Sequence, residues 1–410
     1  MSIFREIPPT AGWPLQAKGL LAALENNKNS RSLNDDFKNY LGCSYAKTVY
    51  SGTAAFYIIL ESLKKISAKK TVIIPAFACP LIPLAIKRAN LKIQVCDINP
   101  ANFSFDLNQL KTICAENTDI LAILSVHLAG LPIDLDPVME IAKLNQAFVI
   151  EDCAQSLGAE YKNKKTGSIG DFAFFSLCRG KGLTIYEGGV ITSKETNYSK
   201  YLDETAEEIV KRDNLSESLK IAELFAYWIF YRPQLFWLAF IGPQLYWQAR
   251  KNPLRAWGEY FTTDFPTHKI SEFRKRSAQI NFSKLPVMLE AQRQKAEFYL
   301  NNLKDIAGLT CIHELVNTKA SYPYVTLLFD TKNRREQAFK ALQKLGLGIS
   351  QIYLCAITDY AYLKDIIPAG NYSNARGIAE REITLSTSVF LKPADLNLII
   401  QTIKKAMDNQ

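Results

Sequence analysis

Short apolar runs and longer mixed runs alternate over the first half of the chain. The short runs are rich in Val, Ile and Phe and predict strands, whereas the longer runs between them predict helices. The predicted strands are TVIIPAF (71–77), IQVCDI (93–98), ILAILSVH (120–127) and FVIEDC (148–153). The predicted helices are AAFYIILESLKK (54–65), CPLIPLAIKRA (79–89), LNQLKTIC (107–114) and PVMEIAKLN (137–145). Because the two kinds of run alternate, we expect an α/β fold with a mostly parallel sheet and helices on both faces.

The pattern changes after the turn EGGVITS (187–193). We expect a mostly helical stretch within 205–265 and then a long amphipathic helix at 282–303. Strand and helix patterns alternate again after these, at 321–330, 334–346, 381–391 and 393–407, and predict a smaller C-terminal α/β domain. The expected parts are therefore a large domain (1–205), an inserted aromatic-rich helical segment (206–265), and a long helix with the small domain (266–410).

Composition and charge narrow the class of protein. The 410 residues are 48% hydrophobic, which suits two domains with buried cores and excludes a disordered chain. The net charge of +9 is spread along the chain without a long Lys/Arg run. It therefore favours acidic small molecules or a membrane surface as partners, and we expect no nucleic-acid partner.

Cysteine and histidine usage predicts a cytoplasmic protein without a metal site. The eight cysteines show no Cys-x-x-Cys spacing and lie mostly in apolar runs, as reduced, buried thiols do. The three histidines lack helical ligand spacing, so no zinc site is expected. The first residues, MSIFREIPPTAGWPLQ, do not have the pattern of a secretory signal.

Residues with chemical uses stand at the ends of the predicted strands. Asp152 ends one strand with Gln155 three residues later, and Ser176 ends another with Lys181 five residues later. Ser51, Gly52 and Thr53 begin a predicted helix, where free backbone N–H groups and the helix dipole favour an anion. Ligands of parallel sheets bind at the carboxyl ends of the strands.

This combination suits pyridoxal phosphate, although each residue has a simpler interpretation. A lysine can hold the aldehyde of the cofactor, and a buried carboxylate can keep its pyridine nitrogen protonated. Ser176 and the 51–53 turn would hold the phosphate, and Phe77 would lie against the ring. Taken singly, Lys181 could be a loop charge, Asp152 a capping acid and Phe77 a core residue. Their joint occurrence at strand ends favours the cofactor site.

The motifs resemble those of the DegT/DnrJ/StrS sugar aminotransferases, which are fold-type I pyridoxal phosphate enzymes. The similar stretches are SGTAA (51–55), IPAF (74–77), SVHLAGLPIDLD (125–136), IEDCAQSLGAEYKNKKTGSIGDFAFFSLCRGKGLT (150–184) and EGGVITS (187–193). The resemblance implies that Lys181 binds the cofactor covalently and that Asp152 contacts the pyridine nitrogen. It also implies that Gln155 contacts the ring hydroxyl and that Gly52, Thr53 and Ser176 bind phosphate. His127 occupies the position of a catalytic residue in the family, and the alternative is a hydrogen-bonded histidine at the end of a strand.

The family resemblance also implies a reaction. Most members of the family transfer an amino group from glutamate to a keto group of a nucleotide-linked deoxysugar. They do so as homodimers, in polysaccharide or glycan biosynthesis. The presence of Lys181 argues against the dehydratase members, which have histidine there. The chain departs from the family pattern in three places. NKNSRSLNDD (27–36) replaces a Thr-Thr-Gly segment that contacts the substrate, Thr-His-Lys (267–269) replaces an Asn-Tyr-Arg segment that reaches the phosphate of the neighbouring subunit, and Gly182 replaces the asparagine after the lysine. A lipid-linked sugar or a cyclitol therefore remains an alternative substrate, and a non-catalytic membrane-docking protein an alternative function.

The inserted segment contains an unusually aromatic stretch. Residues 224–248 carry one charge, Arg232, and three of the five tryptophans. Pro233 and Pro243 divide the stretch into pieces too short to span a membrane. One alternative is a helical pair packed on its own domain or in a dimer interface. The other is peripheral contact with the inner face of the membrane, for which nearby basic residues are available: Lys200, Lys211, Arg212, Arg250, Lys251 and Arg255.

Overall fold

The computed structural model describes residues 5–9, 12–25 and 31–408. Its strands are β1 (Tyr45–Val49), β2 (Thr71–Pro75), β3 (Lys92–Cys96), β4 (Ile120–Val126), β5 (Phe148–Asp152), β6 (Glu160–Tyr161), β7 (Lys164–Lys165), β8 (Phe172–Ser176), β9 (Gly189–Ser193), β10 (Leu309–Ile312), β11 (Thr318–Lys319), β12 (Tyr324–Phe329) and β13 (Glu382–Ser386). Its helices are α1 (Ala17–Leu24), α2 (Leu33–Leu41), α3 (Gly52–Lys64), α4 (Leu81–Arg88), α5 (Leu107–Glu116), α6 (Asp136–Leu144), α7 (Ser199–Ile209), α8 (Asn214–Phe230), α9 (Gly242–Ala249), α10 (Pro253–Ala256), α11 (Glu272–Phe282), α12 (Leu285–Leu303), α13 (Lys332–Gln343), α14 (Ser373–Arg381) and α15 (Pro393–Asp408).

A seven-stranded sheet forms the large domain. Its order is β1-β9-β8-β5-β4-β2-β3. The pairs from β3 to β8 are parallel, and β9 runs antiparallel to both β8 and β1. Every residue of β4 and of β9 is buried, as expected of strands covered by helices on both faces. The predicted α/β fold with a mostly parallel sheet is confirmed.

The apolar runs predict the positions of the strands and helices more accurately than they predict where each one ends. The predicted strand 71–77 ends at Pro75 in the structure, so Phe77 lies in the loop before α4. Phe77 is nevertheless buried, with 1% of its surface exposed. An apolar run predicts burial, but it does not show where the hydrogen-bonded ladder stops.

A second sheet forms the smaller C-terminal domain. β12 lies between β10 and β13 and is antiparallel to both. Helices α12 and α13 pack against β12, and α15 packs against both helices. The small α/β domain is confirmed, whereas the boundaries at 205 and 265 stay predictions.

The inserted segment is helical, with α8, a π-helical turn at Trp237–Ile241, α9 and α10 in succession. Leu224, Tyr227, Tyr231 and Phe236 of this segment form a separate apolar cluster with Leu15 and Leu20 near the amino terminus. The segment is therefore anchored to its own chain. Among the described residues, no helix has the length and apolar character needed to cross a bilayer.

Candidate active site

The start of α3, the end of β8 and the start of β9 meet in a tight turn cluster. Ser51 caps α3 by accepting a hydrogen bond from the backbone N–H of Ala54 at 3.0 Å. Ser176 at the end of β8 pairs with Gly189 at the start of β9. A Cβ atom on Gly189 would lie 2.3 Å from the carbonyl carbon of Ser51, so this close approach requires glycine.

The same cluster provides a cradle for an anion. A Cβ atom on Gly52 would lie 3.2 Å from Cβ of Ser176, which places the serine beside the first turn of α3. Thr53 is partly exposed in that turn. Hydroxyls next to free N–H groups at a helix start suit a phosphate. The structure thus brings Ser51, Gly52, Thr53 and Ser176 together, and Gly189 joins them as a residue that the sequence did not single out.

Asp152 is a buried carboxyl at the end of β5, with 5% of its surface exposed. Its Oδ1 accepts a hydrogen bond from the backbone N–H of Ala154 at 2.9 Å. Burial raises the pKa of Asp152 to about 6, and the Ala154 N–H and the charge of Lys181 oppose that rise. A carboxyl with this pKa ionises readily when a cationic partner arrives.

Lys181 lies in the loop between β8 and β9, where its backbone N–H donates to the carbonyl of Cys178 at 3.2 Å. Its positive charge acts on Asp152 and on the thiols of Cys79 and Cys178. Within the described residues it forms no ion pair with an acidic side chain. The fold therefore brings Lys181 close to Asp152, although the two residues follow different strands.

Gln155 is held by the backbone of Ala129 in the large domain and by two tyrosines of the C-terminal domain. Its Oε1 accepts hydrogen bonds from the backbone N–H of Ala129 at 2.9 Å and from the hydroxyl of Tyr324. Its Nε2 donates to the hydroxyl of Tyr353 at 3.5 Å. Because an amide nitrogen has two donors, one N–H of Gln155 remains for a ligand. The roles of Tyr324 and Tyr353 carried no signal in the sequence.

Phe77 and Tyr353 form an aromatic wall of this region. Their ring centroids lie 5.4 Å apart in an edge-to-face arrangement, and Phe103 stacks on Phe77 at 6.4 Å. Such contacts fix the orientation of the Phe77 ring. Tyr353 is also close enough to Asp152 for the carboxylate to raise the pKa of its hydroxyl, after burial as the main cause.

His127 has no exposed surface, and both of its ring nitrogens are engaged. Nε2 lies 3.1 Å from Oε2 of Glu151, and Nδ1 accepts the backbone N–H of Ile133 at 3.2 Å. Since Nδ1 is an acceptor, the proton resides on Nε2. The geometry supports a positioning role, because both ring nitrogens are engaged; the catalytic role that the resemblance implies for His127 stays a prediction.

Glu151 organises the loop after β7. It accepts backbone N–H groups from Gly167 at 2.9 Å and from Ile169 and Gly170 at 2.8 Å each. Burial alone would raise the pKa of Glu151, but the His127 hydrogen bond and these N–H groups lower it. His127, Glu151 and Cys153 offer ligand atoms within 4.8 Å of one another. Hydrogen bonding accounts for this grouping without an ion, and the expected absence of a metal site stays a prediction.

The departures on the substrate side have structural reasons where they can be described. His268 lies 3.2 Å from Glu217 of α8, and its ring packs on Tyr50 at a centroid distance of 4.2 Å. A Cβ atom on Gly182 would lie 2.8 Å from Cε of Met288, so an asparagine there would displace Met288. Residues 27–30 of the altered amino-terminal segment lie outside the described residues.

Solved aminotransferases share this fold. PseC of Helicobacter pylori, an aminotransferase involved in pseudoaminic acid biosynthesis, superimposes with a TM-score of 0.77 over 99% of this chain and 100% of that one, at 17% identity. The putative sugar aminotransferase Spr1654 of Streptococcus pneumoniae gives 0.76 over 98% and 99%, at 18% identity. These likenesses establish the fold.

Relatives by sequence include one long match and several partial ones. The protein MJ1066 of Methanocaldococcus jannaschii is 26% identical over 373 residues, which is 90% of this chain and 87% of that protein. GDP-perosamine synthase of Caulobacter vibrioides is 33% identical over 159 residues, or 39% of this chain and 42% of that enzyme. The chain thus matches less than half the length of that synthase.

The family model matches most of the chain. It covers residues 20–230 and 254–404 and leaves out 231–253, within the aromatic segment. The motif resemblance is thereby confirmed. The chain belongs to the DegT/DnrJ/EryC1/StrS aminotransferase family and is a pyridoxal phosphate-dependent aminotransferase.

Proposed function

We propose that the protein transfers an amino group from glutamate to the keto group of a nucleotide-linked deoxysugar, in polysaccharide or glycan biosynthesis. The observation that carries this proposal is the placement of Lys181 close to the buried carboxyl of Asp152. The phosphate cradle at Gly52 and Ser176 supports it. The names of GDP-perosamine synthase, a relative by sequence, and of the putative sugar aminotransferase Spr1654, a structural neighbour, support a sugar as the amino acceptor.

The residues of the site fit pyridoxal phosphate. Lys181 would hold the aldehyde, ionised Asp152 would hold a proton on the pyridine nitrogen, and Gln155 would donate its free N–H to the ring hydroxyl. The cradle residues Ser51, Gly52, Thr53 and Ser176 would take the phosphate, and Phe77 would lie against the ring. When bound, the cofactor supplies a ring that accepts the electron pair left on the substrate carbon after deprotonation.

Lys181 carries the proton transfer in this proposal. Released from the aldehyde, Nζ of Lys181 would remove the proton from the substrate carbon that bears the amino group, and would hold that proton for its return. With the keto substrate, Nζ would deliver a proton to the carbon that carried the keto oxygen.

A spectroscopic titration of the cofactor-loaded protein tests the proposal. We expect L-glutamate to shift the visible absorption of the lysine-bound cofactor, because the donor displaces Lys181 and leaves its amino group behind. The Lys181→Ala variant should fold and should lack the lysine-bound band. An unchanged band in that variant, or a wild-type spectrum insensitive to glutamate, would contradict the assignment.

A different ketone is the second candidate. L-glutamine:2-deoxy-scyllo-inosose aminotransferase of Streptoalloteichus tenebrarius is 29% identical over 211 residues, 49% of that enzyme. Its named substrate is a cyclitol, and the altered substrate-side segment at His268 and the substitution at Gly182 leave this substrate class open. Turnover of a panel of keto sugar nucleotides, a keto cyclitol and a lipid-linked keto sugar would decide between them.

We further propose a cytoplasmic homodimer that touches the membrane through the aromatic segment 224–248. Exposed apolar side chains support this contact: Trp237 is 38% and Leu238 is 61% exposed, and Arg250 and Lys251 are exposed nearby. Wild-type protein should sediment with anionic vesicles, whereas Leu238→Glu should not. The matched variant Leu144→Glu, at an exposed leucine of α6, should sediment normally. Wild-type protein that never sediments would exclude the contact.

A further inference from the structure

A large cleft lies between the inserted segment and the C-terminal domain. Its volume is about 810 Å³, and its wall begins at Arg179 and Gly180, directly before Lys181. Residues from the π-helical turn, α9 and α10 form one side, and residues 346–350 form the other. This volume is in the range of sites that bind a whole small molecule. Much of the first side belongs to 231–253, the part of the chain that the family model does not match.

Two arginines give the cleft an anion-binding character. Arg179 and Arg255 both line it and are exposed, and neither forms an ion pair with an acidic side chain in the described part of the chain. The guanidinium of Arg255 lies 4.8 Å from the ring centroid of Trp247 and 5.6 Å from that of Tyr260, which holds it in place. Glu6 also lines the cleft, and burial raises the pKa of its carboxyl.

Such guanidinium groups bind phosphate oxygens in a bidentate manner. Arg179 hydrogen-bonds the side chain of Tyr186 and is attracted by Glu187. Because neither arginine is held in a salt bridge among the described residues, the two guanidiniums of the cleft provide the charge complement of a diphosphate. Because Arg179 is only two residues from Lys181, a sugar attached to that diphosphate would have a short path to the lysine.

Flat rings and amides share the wall formed by α9. Trp247 lines the cleft together with Gln244 and Gln248, which are one helical turn apart. Trp257 and Phe240 add two more aromatic faces. Rings alone would accept an alkyl chain equally well, but the adjacent amides can pair with the polar edge of a planar base. The wall therefore matches a nucleobase better than a prenyl chain.

We propose that this cleft binds the nucleoside diphosphate part of the substrate, with Arg179 and Arg255 on the diphosphate and the aromatic wall of 231–257 on the base. The inference rests on the proposed function, since it assigns the carrier of the keto sugar. It makes the inserted segment a specificity element particular to this chain.

Calorimetric titration of the cofactor-loaded protein tests this assignment. The probes are UDP, GDP and geranyl diphosphate, which share the diphosphate and differ in the group beyond it. We expect at least one nucleoside diphosphate to bind more tightly than geranyl diphosphate. Arg255→Gln should weaken that binding by about tenfold or more, and Trp247→Leu should weaken it for the nucleotides more than for geranyl diphosphate. Lys251→Gln removes an exposed charge of the same segment that does not line the cleft, and should leave binding unchanged.

Three results would overturn the inference: no binding of either nucleotide, equal affinity in wild type and Arg255→Gln, or tightest binding of geranyl diphosphate, which would assign the wall to a lipid carrier. The glutamate-induced absorption change separates this inference from the proposed function, because the amino-donor step requires no nucleotide. A wild-type protein that responds to glutamate and fails to bind nucleotides would refute the cleft assignment alone. A protein that binds nucleotides in the cleft and does not respond to glutamate would refute the amino-donor assignment alone.

Discussion

The guanidinium of Arg274 has no exposed surface and joins three parts of the chain close to Lys181. Its Nε and Nη2 donate to the two carboxylate oxygens of Glu217, at 2.8 and 2.5 Å, which links α11 to α8. Its Nη1 donates to the carbonyl of Glu187, in the loop that carries Lys181. Replacing Arg274 with methionine keeps much of the side-chain volume and removes all of these hydrogen bonds.

The loss of folding stability in Arg274→Met follows from the burial of the Glu217 carboxylate, which loses its partner. Breaking a buried pair by removing one partner costs about 3–5 kcal/mol. Glu217 keeps the backbone N–H of Ser271 at 2.7 Å and His268 at 3.2 Å, so we expect the lower value, about 3 kcal/mol. That is a large share of a typical unfolding free energy of about 5–15 kcal/mol.

Urea unfolding followed by tryptophan fluorescence measures this loss. We expect Arg274→Met and Glu217→Gln each to be destabilised, and the double variant to lose about 2 kcal/mol less than their sum, because no buried charge is then left unpaired. Lys275→Met is the matched control on α11. Its partner Glu272 is 65% exposed, and the change should cost no more than about 1 kcal/mol. Additive losses in the double variant would refute the coupling.

Two further predictions concern the cofactor site. Gly189→Ala should lose most of its pyridoxal phosphate affinity in a spectroscopic titration, because the new Cβ overlaps the Ser51 carbonyl group at 2.3 Å. The control variant Gly242→Ala, whose Cβ meets nothing closer than 3.5 Å, should bind the cofactor normally. Equal affinity in the two variants would contradict the phosphate cradle. Asp152 has a pKa raised by burial to about 6, so the folded cofactor-free protein holds this proton more tightly than the unfolded chain. The free energy of unfolding of the cofactor-free protein should therefore fall, relative to that of Asp152→Asn, by about 2–3 kcal/mol as pH rises from about 4 to about 6. If urea unfolding gives the same pH dependence for the two proteins, the carboxyl is not buried.

Candidate cofactor residues next to regular elements could be predicted from the chain. Asp152 and Ser176 end apolar runs, and the carboxyl ends of neighbouring parallel strands meet at one edge of a sheet. Lys181 follows closely enough to reach the same edge. The local sequence was therefore enough to single out these residues as candidates and to predict that they lie at the same edge of the sheet.

Other parts of the site have no local signal. Tyr324 and Tyr353 orient the Gln155 amide from 169 and 198 residues away, and nothing in an apolar strand predicts that partner. His127 had the sequence context of a site residue, yet only its contacts with Glu151 and Ile133 show that both nitrogens are engaged.

The inserted segment also has features that its sequence predicts and features that it does not. Its composition predicted apolar helices that must pack against another surface, but did not identify that surface. Only the packed chain brings Arg179 and Arg255, 76 positions apart in the sequence, into one aromatic-walled cleft. Hydrophobic periodicity and the residues at strand ends involve only a few neighbouring positions, so they can be recognised in the sequence. Contacts between distant elements depend on how the two domains and the insert pack.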